Sequence, residues 1–387
     1  MDQIHKRVAN IFKSYDDQGV HRTGTDGDAK NARWLAENIQ SLGLNPVLSA
    51  ISLNRIDPLQ ASIRIDDRAC DGIPLFDCTY TDSKGISGPL GPPGSKASIA
   101  VEELPPNWRL TEARSFMKLR RQNTHKAMII VCGGPRFGMP PGIALLNAEY
   151  FNEPFGPPVL QVPSTAGSWL LKTAASGAEG RLVAQIRRTA VTAFNVETRV
   201  KGINETLAPV VVMTPRSGWF NCVSERGGGI ACWLEIMRAV RAEKLKRDVV
   251  FIATTGHELG HHGLKHFIHN NPKLLKHAYV WIHLGANFAA AKHATIWFQA
   301  SDTGMEAQGL RAMKQMGIVP DHLRPTGARP FGEAHNIFDG GGRYISLLGE
   351  NALFHHPEDR WPHAVDLDKA IRIIAAFTGL VVNLAKS

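Results

Sequence analysis

The second half of this chain alternates in kind, and that alternation limits what it can fold into. APVVVMT reads as a strand, and GGGIACWLEIMRAVRAEK as a helix with Ile230, Leu234 and Met237 on one face. DVVFIATTG, HAYVWIHLG and ATIWFQA read as strands, and DLDKAIRIIAAFTGLVVNLAK closes the chain as a helix with Ala370, Ile374, Phe377 and Val381 at helical spacing. Strands that alternate with helices predict helices packed on a mixed or largely parallel sheet. Upstream, Asp28 to Leu42 places Ala32, Leu35, Ile39 and Leu42 on one helical face, Gly43 follows as a stop, and the turn-rich HRTGTDGD supplies N-cap candidates. From residue 59 the texture changes to short β-like runs such as AMIIVCGG and PPVLQVP, set between loops such as SGPLGPPGS and GMPPG, with one short helix, GSWLLKTAASG. That texture lasts to residue 194. The expectation is a three-layer α/β/α domain with a mixed sheet, built from residues 1–58 and 195–387, carrying residues 59–194 as an inserted β-rich domain.

Composition narrows the function classes. Hydrophobic residues make up 43% and charged residues 20% of 387, which is neither a disordered nor a membrane-like balance. No apolar run is long enough for a membrane span, and the start MDQIHKRVANIFKSYDDQG has no continuous apolar stretch of the secretory kind. Five cysteines, odd in number and without CxxC spacing, predict reduced thiols and a cytoplasmic location. The net charge of +9 is scattered along the chain, so no nucleic-acid or membrane partner is expected, while attraction to small anionic substrates remains open. Homo-oligomerisation is left open.

The segment most suggestive of chemistry is VFIATTGHELGHHGLKHF, whose HELGH spells the His-Glu-x-x-His zinc motif. In a zincin protease that motif lies within a helix, so that both histidines face one metal. Here it follows a buried strand, and Gly256, Gly260 and Gly263 weaken a long helix. Strand ends in α/β sheets are where ligand sites collect. The zincin reading is therefore the less favoured one.

The order of segments resembles the zinc-dependent exopeptidases of the bacterial leucyl aminopeptidase and glutamate carboxypeptidase type, over nearly the whole chain. HRTGTDGDAKNARWLAENIQSLGL resembles that family's Arg-x-x-Gly-Thr turn and helix, and residues 59–194 its inserted protease-associated domain, which returns through FNVETRVKG. PVVVMTPRSGW stands where the family has a strand ending in His-x-Asp, and SERGGGIACWLEI where Asn-Asp-x-x-Ser-Gly opens a helix. FIATTGHELGHHG stands at its Glu-Glu segment and WIHLGAN at its Asn-Leu-Asp strand. PFGEAHNIFDGGG is similar to its Ser-Asp-His-x-x-Phe loop, and FHHPEDRW to its final His-x-x-x-Asp.

The resemblance implies two zinc ions, and this sequence departs at their ligands. One metal site falls on Pro215, Ser217 and Gly285, whose side chains offer no adequate ligand. The other falls on Glu225, Glu258 and His355, all ligand-competent, with His257 at the general-base position. Glutaminyl cyclases of the same superfamily keep one zinc at this site. The expectation is one zinc ion per chain at Glu225, Glu258 and His355, acting on an amide or peptide bond of a small molecule or short peptide, with His257 as proton carrier. Arg216, Arg226 and His335 are the substrate-contact candidates. Two readings compete with it: a metal-free binding protein on a disabled peptidase fold, and a single-zinc cyclase or acyl-transfer enzyme. The bland alternatives are also specific. Glu225 at a helix start serves the helix N-terminus, the arginines serve as ion-pair partners, and Cys222 packs.

Overall fold

The computed structural model describes residues 3–107 and 111–387. Its first element was not expected from the sequence. Gln3–Asp16 is a helix whose Val8, Ile11, Phe12 and Tyr15 are buried at three- and four-residue spacing. This helix packs against the helices Gly228–Arg241 and Leu367–Lys386. The helix Asp26–Ser41 follows, capped by the Thr25 hydroxyl, which accepts from the Asp28 N–H at 3.4 Å. It ends where Gly43 takes a left-handed φ of 72°.

The central sheet is mixed. Val249–Thr254 and Val280–Leu284 flank Val210–Pro215 in parallel, and Tyr344–Glu350 continues the parallel run beside Val280–Leu284. Thr295–Ala300 pairs antiparallel with Tyr344–Glu350, and Glu179–Val200 pairs antiparallel with Val249–Thr254. The three strands Val210–Pro215, Val249–Thr254 and Val280–Leu284 are buried at every residue, as strands covered by helices on both faces must be. One face carries the largest apolar cluster, where Trp233, Ile236 and Phe377 from two helices meet Val212, Phe251 and Ile282 of the sheet. The other face is covered by His262–Asn270 and Ala334–Asp339 through Leu264, Phe267 and Ile337, with partly buried Leu274 and Leu275 of Pro272–His277 packed beside them. Each fully buried Leu, Ile or Phe on these faces contributes ~1.5–3 kcal/mol. The three-layer expectation for this part of the chain therefore has its physical basis in two apolar faces.

Two long strands, Val47–Ile65 and Glu179–Val200, run antiparallel to each other from Val47↔Glu197 to Arg64↔Arg181, with a register shift between Pro58 and Gln60. The expected joints at residues 59 and 194 lie inside these strands, not in linkers. Pro58 cannot donate to the ladder, which accounts for a bulge near the first joint. Between the long strands, Ile86–Gly91, Ile99–Leu104, Ala127–Cys132 and Val159–Pro163 pair in parallel. The helices Thr111–Gln122 and Gly167–Ser176 cover this second sheet, so the segment is less purely β than its composition suggested. It has two apolar clusters of its own, one around Ile129 and Leu160, the other around Phe116 and Ile130. A further cluster, with Phe76 and Leu145 on one side and Trp219 and Leu259 on the other, joins it to the carboxyl ends of the central strands.

Candidate active site

The residues singled out from the sequence gather where the parallel strands end. Val210–Pro215 leads into Arg216 and Ser217, Val249–Thr254 into His257 and Glu258, and Val280–Leu284 into Gly285. The fold brings them to one place but divides them into two corners with different chemistry.

The first corner holds Glu225, Arg226 and His355. Cys222 takes a left-handed φ of 53°, and Val223–Gly227 forms a wide, π-helical turn at the head of the helix Gly228–Arg241. Asp359 fixes that turn, accepting from the backbone N–H of Ser224 at 2.7 Å and of Glu225 at 3.0 Å. Glu225 is thereby directed inward, fully buried, with Oε1 2.6 Å from Arg226 Nη2 and 3.3 Å from His355 Nε2. Burial alone would raise the Glu225 carboxyl, but the Arg226 charge and then His355 more than offset it and hold it below the usual carboxylate range. Arg226 is anchored from behind by Nε, which donates to the Ser217 carbonyl at 2.7 Å. His355 Nδ1 lies 2.6 Å from the Leu145 carbonyl, so a loop of the inserted segment orients this ring.

Glu258 faces another way. Its Oε1 accepts from the Thr23 N–H at 2.8 Å and the Thr23 hydroxyl at 2.6 Å, and its Oε2 accepts from the Ser217 hydroxyl at 2.7 Å. The RTGT turn thus ties the N-terminal part of the chain to the HELGH segment, since Thr23 Oγ1 also accepts from the Gly256 N–H at 2.9 Å. The expected trio of Glu225, Glu258 and His355 is not assembled as a ligand set.

The second corner opens to a cavity of about 380 Å³ lined by His257, His261, His283 and His335 and rimmed by Arg324 and Arg329. His257 Nδ1 is 3.2 Å from Glu333 Oε1, and Glu333 is itself held by the Thr254 hydroxyl at 2.9 and 3.0 Å. Burial, and then the Arg226 charge, push His257 well below the ordinary histidine value, so the ring is neutral near pH 7. His283 Nδ1 is 2.8 Å from the Ser346 hydroxyl, while its Nε2 has no protein partner. Burial lowers His283 to about 4. His261 and His335 continue the wall, with ring centroids 4.7 Å apart.

The sequence reading did not single out His283, although the strand alternation contained a signal. It sits two residues before Gly285 and so on the same face of the strand. A Cβ at Gly285 would stand 2.8 Å from His283 Cε1, and one at Gly332 2.9 Å from it. The imidazole fills the space that a side chain at position 285 would need. Two glycines make the room for it.

Two substrate-contact expectations are corrected. Arg216 does not reach the cavity, because its Nη1 pairs with Asp28 Oδ1 at 2.8 Å and with the Asp28 carbonyl at 2.9 Å, tying the helix Asp26–Ser41 to the sheet. Arg226 is committed to Glu225 and Ser217, as described. His335 does line the cavity. The HELGH segment is no zincin helix: His257–Leu259 is a single 3-10 turn between left-handed Gly256 and Gly260, and the helix starts at His262. Cys222 is a buried free thiol, and burial, with Glu225 nearby, raises it well above the usual thiol value.

Zinc is what the resemblance implies, and the donor set can be tested against it. Glu225 Oε2 and His355 Nε2 are buried without a hydrogen-bond partner, as metal ligands would be. Against that, the third donor is bound to Thr23 and Ser217, and a guanidinium already stands at the carboxylate that would bridge. Among the described residues no group of three or more His, Cys, Asp or Glu is arranged to hold a metal ion. The residues present do not fit a zinc ion at this position.

Comparison with known proteins agrees with the fold. Residues 223–381 match the model of peptidase family M28. No curated protein matches the sequence. Among solved structures, the zinc aminopeptidase BSAP of Bacillus subtilis superposes with a TM-score of 0.78 at 16% identity, covering 99% of this chain and 95% of that one. A peptidase M28 precursor from Shewanella amazonensis gives 0.76 at 15% identity over 100% and 96%. The aminopeptidase of Aneurinibacillus sp. strain AM-1 gives 0.72 at 14% over 98% and 93%. Residues 223–381 are thus similar to peptidase family M28, and the chain shares the fold of these peptidase structures along nearly its whole length.

Proposed function

We propose that the chain acts on the amide bond of a small, peptide-like substrate in the histidine-lined cavity, with His257 as the proton carrier. The observation that carries this reading is the His257–Glu333 pair, 3.2 Å apart at the cavity wall. With Nδ1 donating to Glu333, Nε2 is the basic nitrogen. It would take a proton from water as the oxygen attacks the amide carbon, then return it to the nitrogen as the carbon–nitrogen bond breaks. The unpartnered His283 Nε2, protonated when Nδ1 accepts from Ser346, is the group suited to the developing oxyanion. Glu149 and Arg329 on the same cavity would suit the amine and carboxylate of a short peptide. Amide chemistry, rather than another kind, is supported by the family match. No step here is assigned to a metal, because the donor set does not fit one.

A second reading is a binding protein that uses the same cavity without turnover. The closed Glu225–Arg226 pair favours it, since the carboxylate at the bridging position is occupied by an arginine. One experiment separates the two. The protein is incubated with a panel of dipeptides, free and N-acylated, while products and binding are followed in parallel. Turnover that disappears in His257→Gln, with binding retained, supports the hydrolase. Binding with no product from any substrate moves the weight to the binding protein.

A further inference from the structure

We propose that Arg226 is a built-in cation that permanently takes the place of the metal at the bridging carboxylate, so that this chain folds without zinc. A buried carboxylate needs a cation or several donors. Glu225 is fully buried, and Arg226 supplies that charge with Nη2 at 2.6 Å from Oε1. The guanidinium cannot swing aside cheaply. It is itself fully buried, Nε is tied to the Ser217 carbonyl at 2.7 Å, and although burial disfavours its charge, the adjacent Glu225 carboxylate more than offsets that. A divalent ion entering between Glu225 and His355 would face a fixed positive charge and leave a buried arginine unpaired.

The neighbouring changes are of one kind with this exchange. Ser217 gives its carbonyl to Arg226 and its hydroxyl to Glu258. Gly285 leaves its space to His283. Glu258, freed from any ligand duty, has become a structural anchor between Thr23 and Ser217. At the bridging carboxylate the compensation is one of charge, since Arg226 Nη2 stands 2.6 Å from Glu225 Oε1 although neither atom completes a hydrogen bond. The proposal is independent of whether the cavity turns over a substrate.

The test uses the whole chain, produced in zinc-supplemented culture. Metal content is measured by mass spectrometry, and melting is followed with added zinc and with a chelator. The wild type should carry no stoichiometric zinc, and its melting temperature should not move in either condition. Arg226→Met should melt lower, and Glu225→Gln combined with Arg226→Met should recover most of that loss, because both charges are then gone together. A wild type with one zinc per chain that Glu225→Gln removes overturns the proposal. So does a double variant that melts no higher than Arg226→Met. Should Arg226→Met yield no folded protein, recovery of folded protein in the double variant supports the pairing and its absence overturns it.

Discussion

The two corners at the strand ends start from similar materials and end differently. Around Glu225, Arg226 and His355, charged groups are turned on one another and buried from solvent. Around His257, Glu333 and His283, one nitrogen of each ring is held by the protein while the rings line a cavity. A carboxylate, an imidazole and a buried environment are common to both. What differs is whether a side chain of opposite charge arrives from the same turn. Arg226 follows Glu225 directly, whereas nothing cationic follows His257 or Glu333 in sequence. The first corner is built for stability, and the second keeps capacity for a ligand.

Variants can break or sharpen that contrast. The largest effect is expected from Glu225→Ala, which leaves the Arg226 charge buried and unpaired and should cost about 3–5 kcal/mol. Chemical denaturation measures this, and a loss below about 1 kcal/mol would mean that the pair is not the closed unit described. His257→Gln should leave the unfolding free energy nearly unchanged while lowering amide turnover by about 100-fold or more. If the variant turns over like the wild type, His257 is not the proton carrier.

Acidification addresses the second corner. Burial holds His283 and His335 near 4, and outside this corner it holds His21, stacked on Tyr15, near 3, all below the unfolded value of 6.5. The folded chain then binds fewer protons than the unfolded one between pH 6.5 and those values. Their contribution is complete above about pH 6.5 and is lost as pH falls toward 4, by at most about 1.4 kcal/mol per unit for each fully buried ring. His335 is only partly buried and should contribute less than His283. Denaturant melts at pH 7 and pH 4.5, compared with those of His283→Asn, measure the effect. An unchanged slope in the variant would remove His283 from it.

Smaller still is Thr23→Val, which keeps the shape but deletes the hydroxyl bond to Glu258 and should cost about 1.5–3 kcal/mol. The same change should not alter metal content. Arg329→Ala breaks an exposed pair with Asp339 and should shift stability by only about 0–1 kcal/mol. A raised KM in that variant, with kcat unchanged, would mark Arg329 as the carboxylate contact. Unchanged KM would leave it a rim charge.

Much of the fold was legible because burial imposes a period. Continuous apolar runs marked Val210–Pro215 and Val249–Thr254, and the three- and four-residue rhythm marked Leu367–Lys386. The helix Gln3–Asp16 carries the same three- and four-residue rhythm over a shorter span. The long strands Val47–Ile65 and Glu179–Val200 were hidden. They form a ribbon exposed over much of its length, with the polar residues and the proline that such exposure allows.

The sequence by itself determined which ionisable residues arrive at the strand ends, because each stands at a fixed distance from an apolar run that must be buried. It also ruled out ligands at Pro215 and Gly285, since no fold can give those residues a donor side chain. Only the tertiary structure decided what the surviving groups do. Glu258 meets Thr23 from 235 positions away, and Glu225 is claimed by the arginine beside it rather than by Glu258 and His355 together. A glutamate has rotatable bonds between backbone and carboxylate, so its position in a motif fixes where the chain passes but not where the oxygens point. That direction is set by whichever donors packing brings within reach, and at this site those donors are the protein's own hydroxyls and guanidinium.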